Sequence, residues 1–216
     1  MNYYSRPQVS NSDLGNLKGE MYGLQKPPNI QDIYDFGNLV DAMLTEPNLI
    51  DYHEKRIWLH DEWKIVQPEK WMLAEKMVSA MMLDPFISIV VKKMIGQYEF
   101  YKRLHLEYEG FEFSIDARAK YDGIAKQLST GLDYKTTACT THKAFIQSLD
   151  HFDYDRQCAW YMDIASLDRF WFVGISKKNQ KVFKYAVQRG DEFYKRGKQK
   201  YLKLAYLWNI YFENFK

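Results

Sequence analysis

Apolar and polar positions along this chain change period near residue 97. Before it, apolar residues recur three and four apart. Phe36, Leu39, Val40, Met43 and Leu44 make one helical stripe that Glu46-Pro47 ends. Ser10-Asn-Ser-Asp offers N-cap residues for a short helix, and the nine residues before it read as loose. Lys26-Pro-Pro-Asn breaks the chain. Leu49 to Trp58 reads as another turn or two of helix, and Trp63 to Val66 as a short strand. Pro68 opens a helix to about Leu83, and Asp84-Pro85 starts the next, ending near Gly96. The alternation then becomes twofold. Tyr98 to Tyr108 and Phe111 to Tyr121 flank Glu109-Gly110, a β-hairpin pattern, and Leu128 to Tyr134 reads as a third strand. Helices are expected at Thr140–Leu149 and Tyr154–Ala165, and strands at Phe170–Ser176 and Val182–Ala186. A final helix is expected at about Asp191–Phe212. This order predicts an α/β (α+β) fold with a mixed central sheet flanked by helices.

Composition narrows the class. A chain of 216 residues suits a single domain. Its expected parts are helices over about 10–96, a sheet core over about 97–190 and a basic C-terminal helix over about 191–214. No apolar run approaches the roughly 20 residues needed to span a bilayer, and the first residues lack an apolar signal region. The expectation is a cytoplasmic protein with no membrane partner. Cys139 and Cys158 alone cannot build a disulfide framework or a cysteine-only cluster. The net charge of +2 says little about partners. Between Lys177 and Lys203, however, ten Lys or Arg face two acids, a local balance of +8. That stretch reads either as a track for phosphates or as a solvated helix face. There is no Gly-rich phosphate loop, which argues against an ATP-driven motor, and the five His show no zinc spacing.

The chemistry concentrates in two short segments. Asp122 ends the second hairpin strand. Asp133 and Lys135 stand two apart on the next strand, so they share a face. Neighbouring strands lie about 4.8 Å apart, close enough for Asp122 and Asp133 to reach one cation. With water and the main-chain carbonyl of Tyr134, these carboxylates make an oxygen shell suited to Mg²⁺ or Mn²⁺. Lys135 can orient an attacking water and stabilise developing negative charge, or pair with the acids in the resting protein. Alone, Asp-x-Lys is an ordinary surface pair and Asp-Gly an ordinary turn. Their order, spacing and strand context together are more specific.

These residues resemble the PD-(D/E)XK nuclease superfamily, most of all its RecB-like phage and prophage exonucleases. The family's Lys-x-Arg-Pro-Asp-Gly is matched by Arg118, Ala119, Lys120, Tyr121, Asp122 and Gly123, with the cations exchanged and Tyr in place of Pro. Asp-x-Lys-Thr-Thr stands intact from Asp133 to Thr137, and Gln-x-x-x-Tyr as Gln157 and Tyr161. Phe36-Gly-Asn-Leu-Val-Asp41 through Glu46-Pro47 is similar to a family helix that carries His where this chain has Asp41. The resemblance covers about residues 9 to 190. It implies a restriction-endonuclease-like core and a metal-dependent exodeoxyribonuclease on linear duplex DNA, of the phage recombination type. Asp122, Asp133, Lys135 and Glu99 would be catalytic. Asp122, Asp133, Glu99, the Tyr134 carbonyl and Asp41 would hold the metal, although Asp41 leaves the number of ions open. Gln157, Tyr161, Arg118 and Lys120 would contact DNA. A single-strand annealing protein and a homo-oligomeric ring are implied partners. A nucleic-acid-binding module with a decayed catalytic site is the alternative reading.

Overall fold

The computed structural model describes residue 3 and residues 6–213. The expected loose start falls partly on residues 1, 2, 4 and 5, and the expected helix end on residue 214, all outside the described residues.

Helix α1 (Asn11–Tyr22) begins at a capping box: the Ser10 side chain accepts from the Asp13 amide, and the Asp13 carboxylate accepts from the Ser10 amide. Gly23, at φ 62°, ends it in the left-handed region. Helix α2 spans Ile30–Thr45 and α3 spans Pro68–Leu83. Asp84 caps α4 (Pro85–Lys93) by accepting from the amides of Phe86 and Ile87.

The segment read as helix from Leu49 to Trp58 is instead mostly strand. After one 3₁₀ turn, β1 (Ile50–Asp51), β2 (Arg56–Leu59) and β3 (Glu62–Ile65) form a small antiparallel sheet. Asp51 Oδ1 accepts from the amides of His53 and Glu54, each at 3.1 Å, and so turns the chain before a helix can propagate. His60 and Asp61, at φ 53° and 63°, make the tight β2–β3 turn.

The main sheet has the order β4-β5-β6-β7-β8. Its strands are β4 (Ile95–Tyr108), β5 (Phe111–Ala125), β6 (Thr130–Thr137), β7 (Arg169–Ser176) and β8 (Val182–Gln188). β6 and β7 are parallel and the other pairs antiparallel, so the sheet is mixed as expected. The crossover between β6 and β7 carries α5 (His142–His151) and α6 (Tyr154–Ile164). Helix α7 (Glu192–Trp208) follows β8 and ends in a π-helical turn.

Alternation along β7 divides the core. Phe170 and Phe172 pack with Phe145, Trp160 and Tyr201 from α5, α6 and α7. Val173 and Ile175 point the other way, into Leu39, Trp71, Met77 and Ile87 from α2, α3 and α4. Helices therefore cover both faces, which gives an α/β fold.

β5 pairs with β6 only from Gly123 to Ala125, against Thr130 to Leu132. Beyond that the strands part, and a fork opens with Asp122 on one arm and Asp133 on the other. Val9 occupies part of the freed edge of β5. Its amide donates to the Asp116 carbonyl, and the Arg118 amide donates to its carbonyl, each at 2.8 Å. Val9, expected in a loose segment, is buried.

Candidate functional site

The fork opens into a cleft of about 640 Å³ lined by Asp41, Gln97, Lys120, Asp122, Asp133, Lys135 and Tyr161, among others. Asp122 Oδ2 accepts from the Tyr134 amide at 2.7 Å, in the place a ladder partner would have taken. Asp133 Oδ1 accepts from Gln157 Nε2 at 2.6 Å, so α6 fixes its orientation. Lys135 Nζ lies 2.6 Å from Asp133 Oδ2 and 4.5 Å from the centre of the Tyr154 ring. Tyr161 packs against the fully buried Tyr121, whose hydroxyl donates to the Tyr161 carbonyl at 2.6 Å.

From α2, Asp41 Oδ2 accepts from Gln97 Nε2 at 2.6 Å, and the same amide reaches Thr45 Oγ1 at 3.1 Å. Asp41 Oδ1 is buried with no hydrogen-bond partner. Burial, reinforced by Asp133 and Glu46, pushes the Asp41 carboxyl up to about 7, against the opposing pull of Gln97 and Lys120. Burial also lifts Asp122 well above the usual carboxylate range, and the charges of Asp41 and Asp133 lift it further. Burial works against the Lys135 ammonium. Asp133, Tyr154 and Asp122 outweigh it, so Lys135 holds its proton more tightly than an ordinary lysine.

Among the described residues, no group of three or more His, Cys, Asp or Glu side chains is arranged to hold a metal ion as it stands. The donor set nevertheless fits a hard divalent ion. Asp41 Oδ1 is an orphaned buried oxygen. Asp133 Oδ2 is buried and meets only a poorly aligned ammonium. The charge of Asp133 raises the proton affinity of Asp41 and Asp122, and a cation placed among the three carboxylates would relieve that repulsion.

The remaining expected residues separate. Glu99 does not line this cleft. It stands opposite Lys120 in the β4–β5 register and accepts from the Tyr101 hydroxyl. Gln97 takes the place in the cleft expected of Glu99: its backbone is left-handed at φ 49°, and the β4–β5 pairing skips it and Asp122. No sequence motif marked Gln97. Lys120 does line the cleft, with Nζ 3.8 Å from Glu46 Oε2. Arg118 borders it but is committed internally. Its guanidinium donates to the carbonyls of Tyr3 and Arg6 at 2.7 and 2.6 Å and meets Asp13 at 3.1 Å. Part of the basic C-terminal stretch pairs within the fold: Arg189 and Lys198 with Asp163, and Arg196 and Lys200 with Asp155. Among the described residues, no helix is long and apolar enough to cross a membrane.

No family model matches the sequence, and no curated protein matches it. Among solved structures, the chain is similar to a phage-related exonuclease from Haemophilus somnus 129PT, with a TM-score of 0.43 and 12% identity over 94% of this chain and 93% of that one. It is also similar to an alkaline exonuclease from Laribacter hongkongensis, with a TM-score of 0.37 and 13% identity over 93% of this chain and 91% of that one.

Proposed function

We propose that this protein is a metal-dependent deoxyribonuclease that hydrolyses phosphodiester bonds, using Mg²⁺ or Mn²⁺. The observation that carries the reading is the set of buried, mutually repelling carboxylates of Asp41, Asp122 and Asp133 facing one cleft beside an ammonium. Asp122, Asp133, Asp41 Oδ1 and the Tyr134 carbonyl would hold the ion. When bound, it would supply Lewis-acid stabilisation of phosphate charge and a more acidic water.

This chain's own groups have distinct tasks. Lys135 stays protonated, so it acts as a cation: it orients the attacking water and stabilises charge on the phosphoryl oxygens as the new P–O bond forms and the old one breaks. Gln157 holds Asp133 in one rotamer. Gln97 does the same for Asp41 and leaves its other oxygen facing inward. Lys120 is the cleft cation placed to meet a neighbouring phosphate. The reading takes the chain as one catalytic unit, because α2 supplies Asp41. Digestion from the ends of linear duplex DNA, a role in recombination and work beside an annealing protein rest on the motif resemblance alone.

The test is incubation of linear and closed circular duplex DNA with Mg²⁺ or Mn²⁺, repeated with Lys135→Ala. Loss of linear substrate alone, abolished by the substitution, is the expected result. Cutting of closed circles would make the enzyme an endonuclease. Binding with no cleavage in either metal would replace catalysis with a binding module.

A further inference from the structure

The small sheet has a feature that the catalytic reading does not use. Trp58 and Trp63 are cross-strand partners on β2 and β3, with ring centroids 5.5 Å apart and planes at 72°. Both indoles are large and substantially exposed, at 37% and 41%. Beneath them, the Arg56 guanidinium lies 5.0 Å from the centre of the Trp63 ring and is anchored to Asp51 by a 2.9 Å hydrogen bond. Asp51, Arg56, Trp63 and Trp58 thus form a braced column. Its free end is at the cleft: Trp58, with Leu59, His60 and Asp61 of the adjoining turn, lines the same cavity as Asp122, Asp133 and Lys135.

A cross-strand Trp pair by itself stabilises a hairpin. That role does not require the outer indole to reach a cleft walled by cations and carboxylates. We propose that Trp58 is a stacking platform for an unpaired nucleobase of the DNA strand entering the cleft. The proposal rests on the nuclease reading and adds substrate form to it. The interior of a duplex presents only base edges, whereas a single strand or a frayed end presents the faces on which an indole stacks. The edge contact with Trp63 and the cation beneath it hold Trp58 in place, so little ordering is required when a base arrives. The platform makes single-stranded or frayed ends the favoured substrate.

The test measures binding by fluorescence anisotropy with two labelled probes of equal length, an oligodeoxythymidylate and a fully abasic oligomer with the same phosphates. All proteins carry Lys135→Ala and Mg²⁺ is present. Trp58→Ala is expected to weaken binding of the thymidylate about tenfold while leaving the abasic oligomer unchanged, and Trp58→Phe to retain most of the affinity. Equal losses for both probes, or no loss for either, would overturn the platform. Parallel cleavage assays of protein with Lys135 intact separate the two ideas. Cleavage with no probe discrimination sinks the platform alone. Discrimination with no cleavage sinks the catalytic reading alone. If neither probe binds and nothing is cleaved, both fall.

Discussion

Helix α6 divides two groups of buried acids that experience opposite fields. Behind it, Asp163 accepts from the hydroxyls of Tyr194 and Tyr201 and from Arg189, with Lys198 at 3.3 Å. Asp155, fully buried, pairs with Arg196 at 2.7 Å and Lys200 at 2.9 Å. In front, Asp41, Asp122 and Asp133 have Lys135, paired with Asp133, and Lys120 acting on Asp41 without pairing with it. Burial alone would raise the proton affinity of Asp163 behind the helix and of Asp41 and Asp122 in front of it. Behind α6, hydrogen bonds from Tyr194, Tyr201 and Arg189 overcome it, and Asp163 ends below the usual range. In front nothing overcomes it, and Asp41 and Asp122 end above. The same residue type at similar depth is fully compensated where it joins helices and left in deficit where the strands fork. A deficit of positive charge within a built cleft points to a ligand; a balanced cluster points to structure.

Five substitutions can break or sharpen that contrast. The largest effect is expected at the front: Lys135→Ala or Asp133→Asn should lower the rate of cleavage of linear DNA by roughly 10²–10³ while the melting temperature changes little. Next comes the back. A Cβ on Gly197 would sit 1.9 Å from the Asp155 carbonyl oxygen, so Gly197→Ala must push α7 off α6. It should cost about 3 kcal/mol in denaturant unfolding. Asp163→Ala should cost about 2 kcal/mol, a figure reduced because Arg189 and Lys198 remain partly in water. Because the folded Asp163 binds its proton more weakly than the unfolded one, its contribution is present above the ordinary aspartate range and disappears as pH falls through the lower folded value. Acid titration of the variant should therefore be shallower than that of wild type. The smallest effect has the opposite sign. Asp41→Asn should stabilise the metal-free protein by about 1 kcal/mol at neutral pH and weaken Mg²⁺ binding measured by calorimetry. Wild type should lose stability as pH rises toward about 7, where Asp41 ionises, and the variant, which keeps only the raised Asp122, should lose less. Equal destabilisation by Asp41→Asn and Asp163→Ala would erase the contrast.

Much of the scaffold was legible because its signals are local. Alternation on both sides of Glu109-Gly110 identified the β4–β5 hairpin, and Pro68 identified the start of α3. The β1–β2 turn was hidden. It contains neither Gly nor Pro and depends on Asp51 capturing two amides, which reads like any acid before a helix. Motif spacing brought Asp122, Asp133, Lys135, Gln157 and Tyr161 into view, and the structure sets them close together. Glu99 and Gln97 differ by one step of the same strand face, so only the left-handed twist at Gln97 decides which of them enters the cleft. The basic run near the C-terminus left two readings open for a related reason: the partners of Arg189, Arg196, Lys198 and Lys200 are Asp155 and Asp163, which are distant in sequence and invisible to a local charge count.

The contact of Val9 with β5 carries a practical consequence. Over Asp116 to Arg118, that one residue closes hydrogen bonds that no neighbouring strand supplies. Trimming the chain through Val9 would bare a long strand margin and strip the carbonyls of Tyr3 and Arg6 from the Arg118 guanidinium. Exposed margins of this kind recruit other copies into intermolecular sheets. A shortened version would therefore precipitate during purification even with Asp41, Asp122, Asp133 and Lys135 intact, and its inactivity would say nothing about chemistry.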